Sequence, residues 1–301
     1  MNTPAPTKPQ ALGAHARIGE PILSGGRLSF DVERDGFLQT VWFELPRDWE
    51  YAPDLIAAAA STLLGEKFKR IHFDFGLSIE AIEQLQSVWK ASITAKSVVT
   101  KSTREVRGAF LGLNFSGGFD SLASKALAPR GFRLISLDFG AGFEREVRFF
   151  SEFPTTVVKT NLRQLGLDKN SWTFMGVGAI LLRDYLRLSH IGFGSILEAS
   201  SSNLISVLAR PNTANPPLRK RFARRAGAPT LASNVFAAAG MHYLNPVSGM
   251  TEVGTTKIVA EQFPELAERS LESLAPEGSE KLDRKRLLLS FYGGGGLRQS
   301  I

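Results

Sequence analysis

The stretch LNFSGGFDSLASKAL, residues 113–127, carries the side chains in this chain best suited to chemistry on a phosphate. Two glycines follow Ser116, and Asp120 and Ser121 precede an alanine- and leucine-rich run. Glycine has no Cβ, so backbone N–H groups can approach a ligand closely, and a helix N-terminus adds further donors. Serine hydroxyls complete a set suited to a polyphosphate. Asp120 would repel that anion unless a cation lay between them, so the pattern predicts Mg²⁺ at Asp120.

The stretch differs from the two common glycine-rich nucleotide loops. No Lys-Ser or Lys-Thr pair follows the glycines at the spacing of a Walker A loop, and the three glycines of a dinucleotide fingerprint are absent. The alternative to phosphate binding is an ordinary strand–helix junction in which glycines make the turn and serine caps the helix.

The segments around this stretch predict a parallel sheet that places the loop at the end of a strand. Apolar runs suited to buried strands alternate with amphipathic helical segments from about residue 109 onward. Successive β-α-β units of this kind form doubly wound sheets, whose ligands bind at the carboxyl ends of the strands. We predict strands at 109–115, 132–139, 155–161 and 190–198, and helices at 121–127, 144–153 and, as one long apolar helix, 172–188.

The first hundred residues predict a small α+β unit. Alternating apolar and polar residues flank Asp35-Gly36, which is typical of a β-hairpin over 27–45. A helix with a proline in its first turn, a strand, and a helix capped by Ser78 follow at 53–64, 69–75 and 78–92. The polar stretch 94–108 is the predicted domain boundary. The expected division is a disordered lead-in (1–20), an N-terminal α+β domain (21–105), the loop-bearing domain (106–260) and a helical C-terminal tail (261–301).

Composition narrows the possible functions. With 301 residues, 43% of them hydrophobic, the chain has ample material for a core. The absence of cysteine excludes disulfides, cysteine-ligated metals and thiolate nucleophiles, and the four histidines lack metal-binding spacing. No secretory signal and no apolar run near 18 residues is present, which favours a cytoplasmic enzyme without membrane contact. The basic stretch 218–225 predicts either a solvated face or contact with an anionic substrate or nucleic acid.

The sequence SGGFDS at 116–121 resembles the SGGxDS pyrophosphate loop of the N-type ATP pyrophosphatases, a superfamily that includes NAD synthetase and 7-cyano-7-deazaguanine synthase. The resemblance implies the fold of that superfamily and cleavage of ATP between its α- and β-phosphates. AMP would pass to a substrate oxygen, and a nucleophile would then displace it. The resemblance implies ATP contacts from Ser116, Gly117, Gly118, Phe119, Asp120 and Ser121.

The resemblance also suggests the residues near the base and the metal. In the superfamily the end of the second strand lines the adenine pocket, which implies Leu137, Asp138 and Phe139 here. Asp138 has an alternative role, since a carboxylate at a strand end can accept backbone hydrogen bonds. The stretch GSILEAS is similar to a segment of NAD synthetase in which a glutamate helps hold Mg²⁺, which implies Glu198.

The later segment NPVSGMTEVGTTKIVAEQF is similar to the one in which Thr-Lys or Ser-Lys opens a helix. One alignment uses Thr251-Glu252 and loses the lysine, and the other uses Thr256-Lys257. We favour Lys257, because a helix is predicted to begin at KIVAEQF and a lysine there could neutralise the departing pyrophosphate. An ordinary surface lysine in a first helical turn is the alternative.

Together these patterns predict an ATP- and Mg²⁺-dependent enzyme that adenylates a carboxylate, amide or carbonyl oxygen of a small anionic substrate, with Asp120 and Lys257 as catalytic residues. The lack of cysteine argues against persulfide-dependent thiouridine synthetases and a glutamine-hydrolysing partner domain. Two alternatives stay open: an RNA-modifying enzyme that grips phosphates through 218–225, and a nucleotide-binding regulator without turnover. The sequence does not indicate the substrate, the nucleophile or the oligomeric state.

Overall fold

The computed structural model describes residues 14–100, 108–196 and 231–292, and these ranges form an α/β fold. One mixed, mostly parallel sheet of eleven strands is flanked by nine helices in the described ranges, which confirms the predicted α/β class. The strands are β1 (His15–Ile18), β2 (Ile22–Ser24), β3 (Arg27–Arg34), β4 (Phe37–Glu44), β5 (Arg70–Ser78), β6 (Ser92–Val99), β7 (Phe110–Asn114), β8 (Phe132–Asp138), β9 (Thr155–Thr160), β10 (Leu188–Gly192) and β11 (His242–Leu244). The helices are α1 (Pro53–Leu64), α2 (Ile79–Trp89), α3 (Phe119–Leu127), α4 (Glu144–Phe150), α5 (Val177–Leu181), α6 (Leu231–Ala238), α7 (Glu252–Gln262), α8 (Pro264–Leu274) and α9 (Glu280–Tyr292).

Five parallel strands form one side of the sheet, in the order β11-β10-β7-β8-β9. The chain passes from β7 to β8 and β9 in one direction, then returns to the other side of β7 for β10 and β11. This reversal makes β7 and β10 the switch point of a doubly wound arrangement, where the loops after the two strands diverge. Asn114 Nδ2 donates to the Gly192 carbonyl over 3.0 Å and ties the two strand ends together.

The other side of the sheet begins with the predicted hairpin. Strands β3 and β4 pair antiparallel from Arg27↔Glu44 to Arg34↔Phe37, so the hairpin prediction is confirmed. Asp35 and Gly36 have φ of 51° and 84°, the positive pair that a two-residue type I′ turn needs. The predicted helices are also present as α1 and α2, and Ser78 Oγ caps α2 by accepting the Ala81 N–H over 3.1 Å.

The N-terminal and loop-bearing segments share this sheet. Strand β4 pairs antiparallel with β9 at Phe43↔Thr160 and Glu44↔Lys159. Trp49 Nε1 donates to the Leu181 carbonyl over 2.7 Å, and one cluster of buried apolar residues includes side chains of both segments. The boundary predicted between 21–105 and 106–260 therefore does not interrupt the sheet or this core.

Two segments predicted to be irregular contain strands. Part of the lead-in 1–20 forms β1, which lies between β3 and β5 with Ala16 and Ile18 buried. The boundary stretch 94–108 includes most of β6, which pairs parallel with β5. The predictions of a disordered lead-in and of a polar boundary were therefore wrong at these positions. The apolar pattern of both strands is weak, because β1 has only two buried apolar residues and β6 is mostly exposed. Such strands are formed by their neighbours in the sheet more than by their own apolar pattern.

The long helix predicted over 172–188 is also wrong. The chain forms a 3₁₀ turn (Trp172–Gly176), the short helix α5 and further turns before β10 begins at Leu188. Gly176 and Gly178 lower helix propensity, and both lie against neighbouring side chains. A Cβ on Gly176 would lie 2.4 Å from Phe236 Cε1, so the absence of a side chain here allows the Phe236 ring to pack closely against the turn.

The last three helices, α7, α8 and α9, pack with α3 and α4. Buried apolar side chains of α3, α4, α7, α8 and α9 form a second cluster that includes Phe119, Phe149, Leu271 and Leu282. This cluster fixes the C-terminal helices beside the start of α3. In the described ranges no helix combines the length and apolar character needed to cross a membrane.

Candidate functional site

A cavity of about 510 Å³ lies at the switch point of the parallel strands. Its walls come from β7 and β8, from the segments that follow β7, β8, β9 and β10, and from helices α3, α4, α7, α8 and α9. Small-molecule sites typically measure about 300–1,000 Å³ and in doubly wound sheets occur at this position. The cavity is therefore large enough and correctly placed for a nucleotide-sized ligand.

The glycine turn after β7 forms one wall of the cavity. Ser116 and Gly118 line it, whereas Gly117 does not. Gly117 has φ of +82°, and its carbonyl accepts a hydrogen bond from Ser270 Oγ on α8 over 2.6 Å. A Cβ at this position would lie 2.4 Å from Phe149 Cδ1. Gly117 thus shapes and anchors the turn, while its neighbours face the cavity.

Helix α3 presents its N-terminus to the cavity. Gly118 precedes its first residue without a side-chain cap, and Ser121 Oγ donates to the Gly118 carbonyl over 2.8 Å. The first N–H groups of a helix lack intrahelical acceptors and carry the positive end of its dipole. Phe119, Asp120 and Ser121 also line the cavity. This wall can therefore receive an anion.

Asp120, the second residue of α3, is half-buried in this wall. Thr255 Oγ1 of α7 donates to its Oδ1 over 2.8 Å, and the chain after β10 packs so closely that a Cβ on Gly194 would lie 2.5 Å from the Asp120 carbonyl. A half-buried carboxylate at this helix N-terminus is the type of oxygen ligand that suits Mg²⁺. Glu198, the second predicted metal ligand, lies outside the described residues. Within the described ranges, no group of three or more histidine and acidic side chains is arranged for metal binding.

The end of β8 forms a second wall. Of the three residues that the resemblance places near the adenine, Leu137 and Phe139 line the cavity and Asp138 does not. Asp138 Oδ1 instead accepts the Gly140 N–H over 2.8 Å, which is the strand-end role considered as the alternative. Successive side chains of a strand point to opposite faces. Leu137 and Phe139 therefore lie on the cavity face, and Asp138 between them lies on the other face.

The structure places Lys257 away from the cavity. Helix α7 begins at Glu252, and Thr251 Oγ1 caps it by accepting the Gly254 N–H over 3.3 Å. The expected helix start at KIVAEQF is therefore wrong, because capping by Thr251 starts the helix one and a half turns earlier. The Lys257 side chain is 61% exposed and lies 3.8 Å from Glu261. The observed helix start matches the alignment that uses Thr251-Glu252, and Glu252 lines the cavity.

Two cavity lysines come from α9, where the sequence pattern did not indicate them. Lys281 and Lys285 both line the cavity, and Lys285 is only 6% exposed. The Lys285 ammonium lies 2.9 Å from Glu252 Oε1 and 5.1 Å from the centre of the Phe119 ring. Arg284 Nη2 also lies 3.3 Å from that Glu252 oxygen. Several basic residues crowd this helix, and only the fold distinguishes the two that face the cavity.

The Lys285 pair changes the acidity of Glu252. Burial alone would raise the pKa of Glu252, but the hydrogen bond and charge of Lys285, together with Arg284, outweigh it and hold the pKa below its usual value. Glu252 is therefore ionised at neutral pH.

Several aromatic side chains also line the cavity. The Arg163 guanidinium lies 4.5 Å from the ring centres of both Phe139 and Phe143. Trp172 meets Phe193 edge to face with ring centres 5.6 Å apart, and all five residues line the cavity. Flat apolar walls and a stacked guanidinium suit a planar ring.

Charges around the cavity balance one another. Among the described residues, the ionisable side chains of the lining are the carboxylates Asp120, Glu146 and Glu252 and the cations Arg163, Lys281 and Lys285. Burial raises the pKa of Glu146, and the charges of Arg163, Lys281 and Arg145 oppose that rise only in part. Arriving phosphates would therefore need a metal ion, or a cation released from its carboxylate.

Comparison of the chain with models of protein families, with curated proteins and with solved structures gave no significant match.

Proposed function

We propose that this protein is an ATP-dependent adenylating enzyme that splits ATP into AMP and pyrophosphate. The observation that carries the proposal is a cavity whose lining combines residues of SGGFDS at the start of α3 with the aromatic side chains of Phe139, Phe143, Trp172 and Phe193. ATP has the same two parts, a polyanion and a planar base. The resemblance of SGGFDS to the pyrophosphate loop of the N-type ATP pyrophosphatases supports the choice of ligand.

In the proposed complex, the β- and γ-phosphates lie against the N–H groups at the start of α3, with Ser116 and Ser121 beside them. The adenine lies toward Leu137 and Phe139. This arrangement uses every predicted ATP-contacting residue that lines the cavity. Gly117 and Asp138 have structural roles instead: Gly117 shapes the turn, and Asp138 accepts a backbone hydrogen bond at the end of β8.

The proposed reaction needs no protein nucleophile. A substrate oxygen attacks the α-phosphorus, its new P–O bond forms, and the bond to the bridging oxygen of the β-phosphate breaks with release of pyrophosphate. A second nucleophile then displaces AMP. The chain contributes positioning and N–H donors that stabilise charge on the departing pyrophosphate, which is the main protein contribution in phosphoryl-type transfers.

Asp120 is the proposed carboxylate ligand of Mg²⁺ at this wall. When bound, Mg²⁺ supplies positive charge between that carboxylate and the phosphates. The hydrogen bond from Thr255 fixes one Asp120 oxygen and thereby orients the carboxyl group.

Product analysis tests the reaction type. Purified protein is incubated with ATP, Mg²⁺ and a fractionated pool of small carboxylates and amides, and the nucleotides are separated by chromatography. We expect AMP and pyrophosphate in equal amounts. Formation of ADP and phosphate would contradict the proposal.

Two carboxylate variants test the assigned wall. Asp120→Asn should weaken Mg²⁺-dependent ATP binding about tenfold or more, because it removes the charge that holds the metal. Asp138→Asn is the matched control, since its amide oxygen can still accept the Gly140 N–H and the residue lies off the cavity. Equal loss in both variants would contradict the placement of ATP in this cavity.

A further inference from the structure

We infer that Lys285 binds the β- and γ-phosphates of the nucleotide and that Glu252 holds this lysine until they arrive. The inference rests on the proposed function and adds to it a phosphate-binding residue and a partner exchange within the site. It assigns to α9 the cation that the sequence pattern had placed at Lys257.

The position of Lys285 is the first support. Its ammonium lies 5.1 Å from the centre of the Phe119 ring, and Phe119 is the first residue of α3. The lysine thus lies at the same helix end whose N–H groups face the cavity. Leu282 and Leu289, buried on the same helix, fix α9 in the second apolar cluster. The lysine is therefore held beside the wall that is proposed to receive the phosphates.

The burial of Lys285 is the second support. A buried ammonium is costly unless a carboxylate or several acceptors accompany it. Glu252 fills this need at 2.9 Å, but an ammonium has three donors and a phosphate group offers more acceptors than one carboxylate oxygen. An arriving phosphate can therefore replace Glu252 without leaving Lys285 unpaired.

Arg284 makes the exchange possible for Glu252 as well. Its Nη2 lies 3.3 Å from the same Glu252 oxygen that Lys285 contacts, and its side chain is 59% exposed. When Lys285 turns to a phosphate, Arg284 can still neutralise Glu252. Arg284, Glu252 and Lys285 thus form an ion-pair network that extends from the surface to the cavity.

The charge balance of the cavity is the third support. Three carboxylates oppose three cations in the described lining, so the resting site has no surplus positive charge for a polyanion. Neutralisation of Glu252 by Arg284, which does not line the cavity, leaves the positive charge of Lys285 for the phosphates. Lys257 cannot do so, because it is exposed and its partner Glu261 lies on the same solvent-facing side of α7.

Titration of pyrophosphate into the full-length protein tests the inference. Calorimetry is done at low ionic strength without divalent cations, so that carboxylate-bound metal does not contribute. The wild type, Lys285→Gln, Glu252→Gln and the surface control Lys257→Gln are compared, with thermal unfolding as the measure of folding. We expect about tenfold weaker binding by Lys285→Gln. Glu252→Gln should bind pyrophosphate about threefold more tightly, because its amide competes less for the lysine, and Lys257→Gln should match the wild type.

The opposite effects of the two variants distinguish phosphate binding from a purely structural ion pair. A structural pair would lower the unfolding temperature in both variants and leave pyrophosphate affinity unchanged or weakened in both, which would overturn the inference. If Lys285→Gln does not fold, Glu252→Gln decides: tighter binding supports the exchange, and unchanged or weaker binding overturns it. Lys285→Arg, which keeps the charge, should retain most of the affinity.

The same titration separates this inference from the proposed function. If the wild type binds ATP with Mg²⁺ while Lys285→Gln binds pyrophosphate as the wild type does, the proposed function stands and the inference fails. If the wild type binds neither ATP with Mg²⁺ nor pyrophosphate, the proposed function fails and the inference with it.

Discussion

At the scale of single residues, position 117 requires glycine for two reasons: its backbone conformation and the lack of space for a side chain. Its φ of +82° is a conformation that side chains rarely adopt, and the Phe149 ring occupies the space a Cβ would need. Its neighbour Gly118 has no such φ, and the nearest atom to its Cβ position is the end of the flexible Leu274 side chain. The first glycine is therefore needed for the fold of the turn, and the second for access to the cavity.

We predict that Gly117→Ala lowers the free energy of unfolding by about 3 kcal/mol, from backbone strain and overlap with the Phe149 ring. Gly142→Ala is the control, since Gly142 also has positive φ, +91°, but no atom within 4 Å of its Cβ position. It should cost about 1 kcal/mol. Urea unfolding measures both. Equal losses of unfolding free energy in the two variants would show that the Phe149 ring moves aside and adds no cost.

The acidity of Glu146 gives a prediction on pH. Burial raises its folded-state pKa above the unfolded value of about 4.3, so its contribution to stability is present below that value and is lost as the pH rises through the folded pKa. Glu146→Gln should therefore raise the unfolding temperature at pH 7, and the gain over the wild type should shrink as the pH falls toward 4. Thermal unfolding at a series of pH values measures it.

Glu144 on the same helix is the control with the opposite sign. Hydrogen bonds from its own backbone N–H and from Gly142 lower its pKa, so its contribution is present at neutral pH and is lost as the pH falls through that lowered value. Glu144→Gln should thus lower the unfolding temperature slightly at pH 7. A gain in Glu144→Gln, or a loss in Glu146→Gln, would contradict these directions.

At the scale of elements, α8 holds the glycine turn in place. The buried Ser270 hydroxyl donates to the Gly117 carbonyl, across more than 150 positions of sequence. On the preceding helix, α7, the Thr255 hydroxyl donates to the Asp120 carboxylate. The C-terminal helices thus position the loop through individual hydrogen bonds as well as apolar packing.

We predict that Ser270→Ala lowers the free energy of unfolding by about 1–2 kcal/mol, because the buried Gly117 carbonyl loses its partner, and that it also weakens ATP binding. Ser273→Ala is the matched control: this buried serine on the same helix donates only to the Ser270 carbonyl within α8. Denaturation and ATP titration of both variants make the comparison. If both variants lose ATP affinity equally, the hydrogen bond to the turn does not position the loop.

The elements that were predicted correctly are those whose determinants are local. Asp35-Gly36 defines its hairpin, and Ser78 caps its helix, within a few residues of sequence. The exposed strand β6 and the broken helix over 172–188 depend on neighbours distant in sequence, so local pattern misplaced them. The same holds for the site. The loop 116–121 is visible as a motif, whereas the orientation of Lys285 depends on how α9 packs against α3 and α7.

At the scale of the whole molecule, the sheet joins segments that the sequence predicted as separate domains. The pairing of β4 with β9 spans two residue pairs, and the shared apolar core extends beneath both segments. Trp49 adds a buried hydrogen bond to the Leu181 carbonyl. Such sharing couples the stability of the two segments.

We predict that the full chain unfolds in one cooperative transition, with circular dichroism and tryptophan fluorescence giving the same midpoint. Trp49→Phe should lower that midpoint for both probes together, since it removes a contact between the segments. Two separate transitions, or a shift confined to one of them, would instead support independent domains.

The arrangement of the cavity walls has a consequence for synthesis on the ribosome. The loop and α3 leave the exit tunnel long before α8 and α9 are translated, while the hairpin of β3 and β4 can pair as soon as it emerges. Ser270 reaches the Gly117 carbonyl, and Lys285 reaches the start of α3, only after translation has passed these late positions. A nascent chain that ends at β11 therefore has the glycine loop without the helices that hold it, and the proposed nucleotide site is among the last parts to form.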